Sequence, residues 1–497
     1  MSSILTNNGA MVALNTLKSI NSDLSKVQDT ISTGKAVNSA KDDASVWAIS
    51  KVMEADVKGF KGISDSLSLA ESSLAVAAGA SETVTDLLTD IKGKIVAAQE
   101  ENVDRDKIQS DIKALSDQIK SVTGAAQFNG LNFLEGSDSV EVLSSLDRAS
   151  DGTVSVSNIA IDRQDLTASK GTFGSGTSLN ANATASDTTV ASAGNIASVT
   201  INGDADMSDN AFSIEIGGTT LEFQNNFFSN TTNDVSATTQ VVAAINALGI
   251  EGITAAVNGG TPTQIDITST RAFEDVSLSA TGDATAGATE IAERAETIDL
   301  SNSASVNDGD GYRVTVGSSS YSYVAGKGET MEDVAKGLKA AIDGGNIDGV
   351  TTSVTQDETT GQWTLKVDND GSGSASLALT VTGAAGGEAS GGLFGLDTID
   401  VSTKDGAKAA LGNIDTLIAN SVDAAAAFGS AQGRLETQSD FIGKLSSALK
   451  AGIGSLVDAD MEETSARLQA LQVQQQLGVQ SLSMANQAPQ SILSLFR

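Results

Sequence analysis

The chain has 497 residues, of which 40% are hydrophobic and 4% aromatic, and it contains neither Cys nor His. A chain this long exceeds what one core holds, so several domains are expected. The missing residue types exclude disulfides, His/Cys metal sites, HExxH metalloproteases and Ser-His-Asp hydrolases. A formal net charge of −33 argues against a nucleic-acid partner, because phosphate binding needs a basic surface.

Residues 1–13 carry no basic stretch ahead of an apolar run, so no secretory signal is expected. No run approaches the ~18 apolar residues of a membrane span, and no membrane insertion is expected. Leu17, Leu24 and Ile31 are seven apart, with Ile20 and Val27 between them and Ile4 and Met11 extending the series. This is coiled-coil spacing. Thr33-Gly34-Lys35 ends it. Further helices are expected from about Asp42 to Leu74 or beyond, Ser81 to Glu101 and Asp104 to Thr123, the last with Ile108, Ile112, Leu115, Ile119 and Val122 on one face. Gln127-Phe128-Asn129-Gly130 marks a turn into extended structure.

The middle of the chain is rich in Gly, Ser, Thr, Asp and Ala and repeats itself. Phe212 to Phe223 matches Tyr312 to Tyr323 at an offset of 100, each reading as strand, tight turn, strand around Gly217 or Gly317. A short helix, at Val241–Ile245 and Leu338–Ile342, and further strands follow in each copy. The expected unit is a ββαββ-type module, present twice. The C-terminal end returns to helix. One helix is expected from about Asp405 to Leu449, weakened near Gly429 and Gly433, with a hinge at Gly452 and Gly454. The last helix starts near Asp458 and carries two apolar stripes: Leu468, Leu471 and Leu482 on one side, Val473, Leu477 and Met484 on another. Charge follows the same division. Residues 1–136 sum to −5 and residues 404–497 to −2, while the middle holds 10 Lys/Arg against 36 Asp/Glu. Nearly neutral ends can pack together, and an acidic middle suits a solvated surface. With Pro at only positions 262 and 489, little interrupts the long helices.

Several segments of the ends resemble bacterial flagellins. Ile31-Ser-Thr-Gly-Lys35, Val37-Asn-Ser-Ala-Lys-Asp-Asp-Ala44 and Trp47-Ala-Ile-Ser50 are similar to the flagellin N-terminal stretch. Ala126-Gln-Phe-Asn-Gly-Leu131 is similar to its TQFNG turn. Phe428-Gly-Ser-Ala-Gln-Gly-Arg-Leu-Glu436, Asp458-Ala-Asp-Met-Glu-Glu463 and Ala485 to Leu495 are similar to its C-terminal end. The resemblance covers both ends in order.

It implies a multidomain α+β fold: a coiled-coil bundle built from both chain ends, with two inserted tandem modules. The expected domains are 1–42 with 455–497 as inner coiled coil, 43–190 with 393–454 as helical outer tube, 191–293 as outer module 1 and 294–392 as outer module 2. It implies a secreted, extracellular subunit that self-assembles into the flagellar filament for motility. Such a subunit is exported unfolded by the flagellar export apparatus, held by an export chaperone, and polymerised at the distal tip beside junction and cap proteins. The residues expected to carry polymerisation are Ile4, Met11, Leu17, Leu24, Ile31, Leu468, Leu471, Val473, Leu477 and Leu482. Many flagellins carry Q-R-x-R-E-L where an innate receptor reads them. The nearest stretch here is Thr89-Asp90-Ile91-Lys92-Gly93-Lys94, so weak recognition is expected. No catalytic, cofactor or metal residues are expected. The Asp/Gly runs Asn307–Gly311 and Asp368–Gly373 do not complete a calcium loop and read as hairpin turns. Two other readings use the same features: a hook–filament junction protein, and a surface adhesin acting through the tandem modules.

Overall fold

A computed structural model describes residues 7–149, 153–202, 211–224 and 234–494. Helix α1 (Asn8–Thr33) starts where the Asn7 side chain accepts from the Ala10 amide and stops at Gly34. Gly34 takes φ 70°, a left-handed conformation that costs glycine little, and its N–H closes on the Thr30 carbonyl. Helix α2 (Ala44–Ala98) begins with the Asp43 carboxylate accepting from the amides of Ser45 and Val46. Helix α3 (Arg105–Ala125) is capped by Asp104 and buries Ile112, Ser116, Ile119 and Thr123 along one face. The turn predicted at residues 127–130 is the short hairpin of β1 (Gln127–Phe128) and β2 (Leu131–Asn132), with Asn129 and Gly130 both at positive φ.

The expected break between the second and third helices is absent. Residues 75–80 are mostly Ala, the best helix former, and Leu74, Ala77 and Ser81 are buried there, so α2 runs 55 residues without interruption. The expected hinge at Gly452 and Gly454 is likewise absent. Helix α6 (Lys404–Val457) passes through Gly429, Gly433, Gly452 and Gly454. Each glycine costs about 1 kcal/mol of helix propensity, which burial of Phe428, Leu435, Ile442 and Val457 outweighs. Gly452 serves packing instead: a Cβ there would lie 3.2 Å from the Met53 methyl of α2. The chain breaks later, at residues 458–460. Helix α7 (Met461–Ser494) then starts from Asp460, whose carboxylate accepts from the amides of Glu462 and Glu463.

The chain separates into two compact units, one of residues 1–72, 141–161 and 431–497, the other of residues 73–140 and 162–430. In the first, the two-stranded sheet of β3 (Ser139–Arg148) and β4 (Val154–Asp162) is fastened to helices. Gly59 of α2 leaves room for Leu146, Arg148 pairs with Asp56 at 2.5 Å, and the Gln438 side chain donates to the Ser144 carbonyl at 2.8 Å. In the second, α2, α3 and α6 bury Leu88, Ile91, Ile95, Ile112, Ile119, Ile414 and Phe428. The ring of Phe428 meets Phe133 edge-on at 6.2 Å.

The middle continues through β5 (Ala183–Ala185), β6 (Thr189–Ala191), β7 (Asn195–Ile201), β8 (Phe212–Ile216), β9 (Thr219–Phe223) and α4 (Asp234–Ala247). Then come β10 (Ile253–Val257), β11 (Gln264–Ser269), β12 (Val276–Gly282), β13 (Ala284–Ala286) and β14 (Glu290–Ile291). The second copy holds β15 (Glu296–Leu300), β16 (Gly311–Val316), β17 (Ser319–Val324), α5 (Met331–Asp343), β18 (Val350–Gln356), β19 (Trp363–Asn369) and β20 (Ser376–Ala384). The ββαββ reading is too small. Each module is two four-stranded antiparallel sheets and one helix around its own core: β10-β11-β7-β13 with β14-β12-β8-β9 in module 1, and β18-β19-β15-β5 with β17-β16-β20-β6 in module 2. The boundary at 190/191 also moves. Residues 183–191 are edge strands of module 2, and module 1 is inserted between them and the rest of that module.

Strand alternation explains both cores. Phe212, Ile214 and Ile216 alternate inward, as do Tyr312, Val314 and Val316, while Ser213, Glu215, Arg313 and Thr315 face outward. Neither Asp/Gly run is the hairpin turn expected: the first is a turn on the crossover from β15 to β16 of the other sheet, and in the second Asp368 and Asn369 end β19 before residues 370–375 cross to β20 of the other sheet. Asp310 accepts from the Asn307 amide at 2.9 Å, and Asp368 is engaged by Arg294. Among the described residues no group of carboxylates is placed to hold a metal ion, and no helix is long and apolar enough to cross a membrane.

Candidate assembly surface

The two ends of the chain meet as an antiparallel helix pair. The Asn7 side chain donates to the Ala485 carbonyl at 2.8 Å, Gln475 donates to Asn21 at 2.7 Å, and the Ala459 amide donates to Gly34 at 3.0 Å. The connecting segments also pair, since Lys35 bridges Asp458 and the Ala36 amide donates to Val457 at 2.7 Å. The seam between α1 and α7 holds Leu17, Leu24, Val27 and Ile31 from one helix and Leu468, Leu471 and Leu482 from the other. Val27 and Leu471 are buried and the rest half-buried. Of the residues expected to carry polymerisation, these six of the site set lie together in the seam.

The others do not. Met11, Val473 and Leu477 are 54%, 55% and 56% exposed. Met484, on the same stripe, is exposed too. Ile4 lies outside the described residues. The end pair is therefore apolar on two sides, one facing the partner helix and one facing water. Such a stripe costs roughly 25 cal/mol for each Å² left wet, a cost that a second apolar surface removes.

Sequence reasoning missed several members. Val12, Leu14 and Val479 are further large apolar side chains that α1 and α7 leave exposed. Gly478 lets the helices approach: a Cβ there would lie 3.2 Å from Leu17 and 3.7 Å from Ile20. A signal for it existed, because Leu471, Gly478 and Ala485 are themselves seven apart.

The segment Thr89–Lys94 lies on α2. Ile91 is fully buried. Lys92 pairs with Asp415 of α6 at 2.7 Å and Lys94 with Asp111 of α3 at 2.6 Å. Both cations are thus engaged within the chain, and Thr89, Asp90 and Gly93 remain exposed.

Terminal helices that pair with each other and leave a second apolar face in water place the chain among helix-ended structural subunits. The sequence pattern of the bacterial flagellin N-terminal helical region matches residues 4–139, and that of the bacterial flagellin C-terminal helical region matches residues 411–496. The chain is 30% identical to Flagellin A of Rhizobium meliloti over 508 residues and 29% identical to Flagellin B of that organism over 502, covering all of both chains in each case. Among solved structures, flagellar hook-associated protein-3 of Legionella pneumophila aligns over 82% of this chain and 98% of its own, with a TM-score of 0.34 and 10% identity. The chain belongs to the bacterial flagellin family and is an extracellular filament subunit of the flagellum.

Proposed function

We propose that α1 and α7 act as the polymerisation element of this filament subunit, in two layers. Leu17, Leu24, Ile31, Leu468, Leu471 and Leu482 hold the end pair together, and Met11, Val473 and Leu477 are surface that neighbouring subunits cover. The observation that carries this reading is the division of one helix pair into a buried seam and an exposed apolar stripe. Residues 1–42 with 455–497 form the inner coiled coil, residues 43–182 with 393–454 the tube wall, and the two acidic modules the outer surface. Deletion of residues 458–497 tests the assignment. Filament growth on seeds stops while the middle modules keep their cooperative unfolding, and normal filaments after that deletion would refute it.

The same reading covers the route to the filament. The subunit crosses the export apparatus unfolded, delivered by a chaperone that holds its C-terminal end, and joins the tip between the junction and cap proteins. A chain without Cys and with Pro at only two positions can be threaded and refolded without disulfide exchange and with few slow isomerisation steps. Its role is mechanical rather than enzymatic. Recognition by the flagellin-sensing innate receptor is weak, because Asp90 and Gly93 replace an Arg and a Glu of the recognised pattern and both lysines of the segment are paired internally. Full-strength signalling at low dose in a receptor-reporter assay would overturn that part.

A further inference from the structure

Two short segments of the middle are alike in sequence and occupy equivalent places in the opposite modules. Ala183-Thr-Ala-Ser-Asp-Thr-Thr-Val-Ala191 and Ala284-Thr-Ala-Gly-Ala-Thr-Glu-Ile-Ala292 each stand just ahead of one copy of the repeat. The first edges the sheets of module 2 and the second edges those of module 1. The registers coincide. Ala183, Thr184 and Ala185 pair with Leu300, Asp299 and Ile298, while Ala284, Thr285 and Ala286 pair with Ile201, Thr200 and Val199. Core pairing makes those partners equivalent, because Ile298 lies opposite Leu365 as Val199 lies opposite Ile265. In the second sheet Val190 pairs with Leu377 as Ile291 pairs with Val276.

Three further backbone hydrogen bonds repeat. Ser301 donates to Asn182 at 2.8 Å as Asn202 donates to Asp283 at 2.7 Å. Ser186 donates to Thr297 as Gly287 donates to Ser198, both at 2.8 Å. Leu379 donates to Thr188 at 2.7 Å as Leu278 donates to Thr289 at 2.8 Å. The inward side chains match as well: Ala183 and Ala284 are each 4% exposed, Val190 is 0% and Ile291 is 1%.

We propose that each outer module carries a sequence-specific strand-acceptor site for an extended peptide of the pattern Ala-Thr-Ala-x-x-x-[Thr/Glu]-[Val/Ile]-Ala, and that its natural occupant is the leading segment of the other repeat in the same chain. The site works by β-augmentation. Main-chain hydrogen bonds supply affinity. Close packing against the first Ala and the pocket for the branched residue near the end supply selectivity. The intervening residues bend the chain from one sheet to the other and face no such demand, which accounts for Ser-Asp-Thr in one segment and Gly-Ala-Thr in the other.

Interchangeability is the test. In a full-length variant whose residues 183–191 and 284–292 trade sequences, both modules keep their cooperative melting within about 3 °C of the parent. A control with one Ser inserted after Ala286 loses the module 1 transition, because a one-residue slip turns the inward residues out. Loss of a module in the exchanged chain to the same degree as in the control overturns the proposal. A second arm opens the site by replacing residues 284–292 with a Gly/Ser segment of equal length and adds synthetic peptides. Peptides spanning residues 182–192 and 283–293 both bind, with dissociation constants within about tenfold of each other, and a Val190→Asp peptide does not. If the opened module is unfolded until peptide is added, recovery of its amide protection by either native peptide supports the proposal. Neither binding nor recovery overturns it.

Discussion

Arg294 joins the two outer modules, and its loss should be among the costliest single changes in the chain. Its amide donates to the Arg271 carbonyl of module 1 at 2.8 Å, while its guanidinium grips Asp368 of module 2 through two hydrogen bonds of 2.7 Å. The two side chains are 10% and 3% exposed. In Arg294→Ala the Asp368 carboxylate stays buried beside Asp370 without its bidentate partner. Breaking a buried pair from one side costs about 3–5 kcal/mol. For a module of this size, a melting point moves by roughly 4–5 °C per kcal/mol, so module 2 should melt on the order of 15 °C lower. Differential scanning calorimetry of the full chain resolves that transition from the helical ones. Replacing both partners with apolar groups, Arg294→Met with Asp368→Leu, should recover most of the loss, because no uncompensated charge remains. A single-variant shift below about 1 kcal/mol, or a double variant no better than the single, would show that the Arg294–Asp368 pair does not hold module 2 together.

Other outcomes follow from the same packing. Burial raises the Glu329 carboxyl to about 7, with Asp333 and Asp308 adding to the shift, against hydrogen bonds from the Gly326 amide and the Tyr323 hydroxyl that lower it. Between the ordinary carboxylate range and pH 7 the folded module keeps this proton and the unfolded chain does not, so the group's contribution declines as pH rises through that window. Glu329→Gln should therefore stabilise module 2 by about 2–3 kcal/mol above pH 7 and by little below pH 4.5, read as the difference between parent and variant melting curves. Gly337 of α5 lies against the face of Tyr323, where an added Cβ would overlap the ring. Gly337→Ala should cost about 1–3 kcal/mol despite the better helix propensity of Ala, and a stabilised variant would contradict the packing described. Gly478→Leu should separate α1 from α7 and lower the protection of amides near Leu17 and Ile20 in hydrogen exchange, leaving the modules unchanged.

The parts legible in the sequence were those whose periodicity runs long enough to be counted. Leu17, Leu24 and Ile31 announced the end helix, and Phe212–Phe223 against Tyr312–Tyr323 announced a repeated hairpin whose strands lie where expected. The two apolar stripes of α7 were also readable, though not which would be covered; that required the position of α1. Two breaks were misplaced because Gly and Ala runs were read by propensity alone, whereas burial of Leu74, Ala77 and Val457 holds α2 and α6 continuous. The edge strands at residues 183–185 and 284–286 escaped because three residues cannot display a two-residue alternation. Arg294 and Asp368 are 74 residues apart, and no local pattern links them.

The stripe of Val473, Leu477 and Met484 is proposed as an assembly surface that contributes nothing to the fold of the lone subunit. Replacing all three by Ser in the full chain and measuring elongation on preformed seeds, beside circular dichroism of the unassembled protein, tests it most directly. An unchanged spectrum and melting profile with elongation abolished is the expected result. Elongation at the parent rate would contradict it, as would loss of helix in the lone subunit.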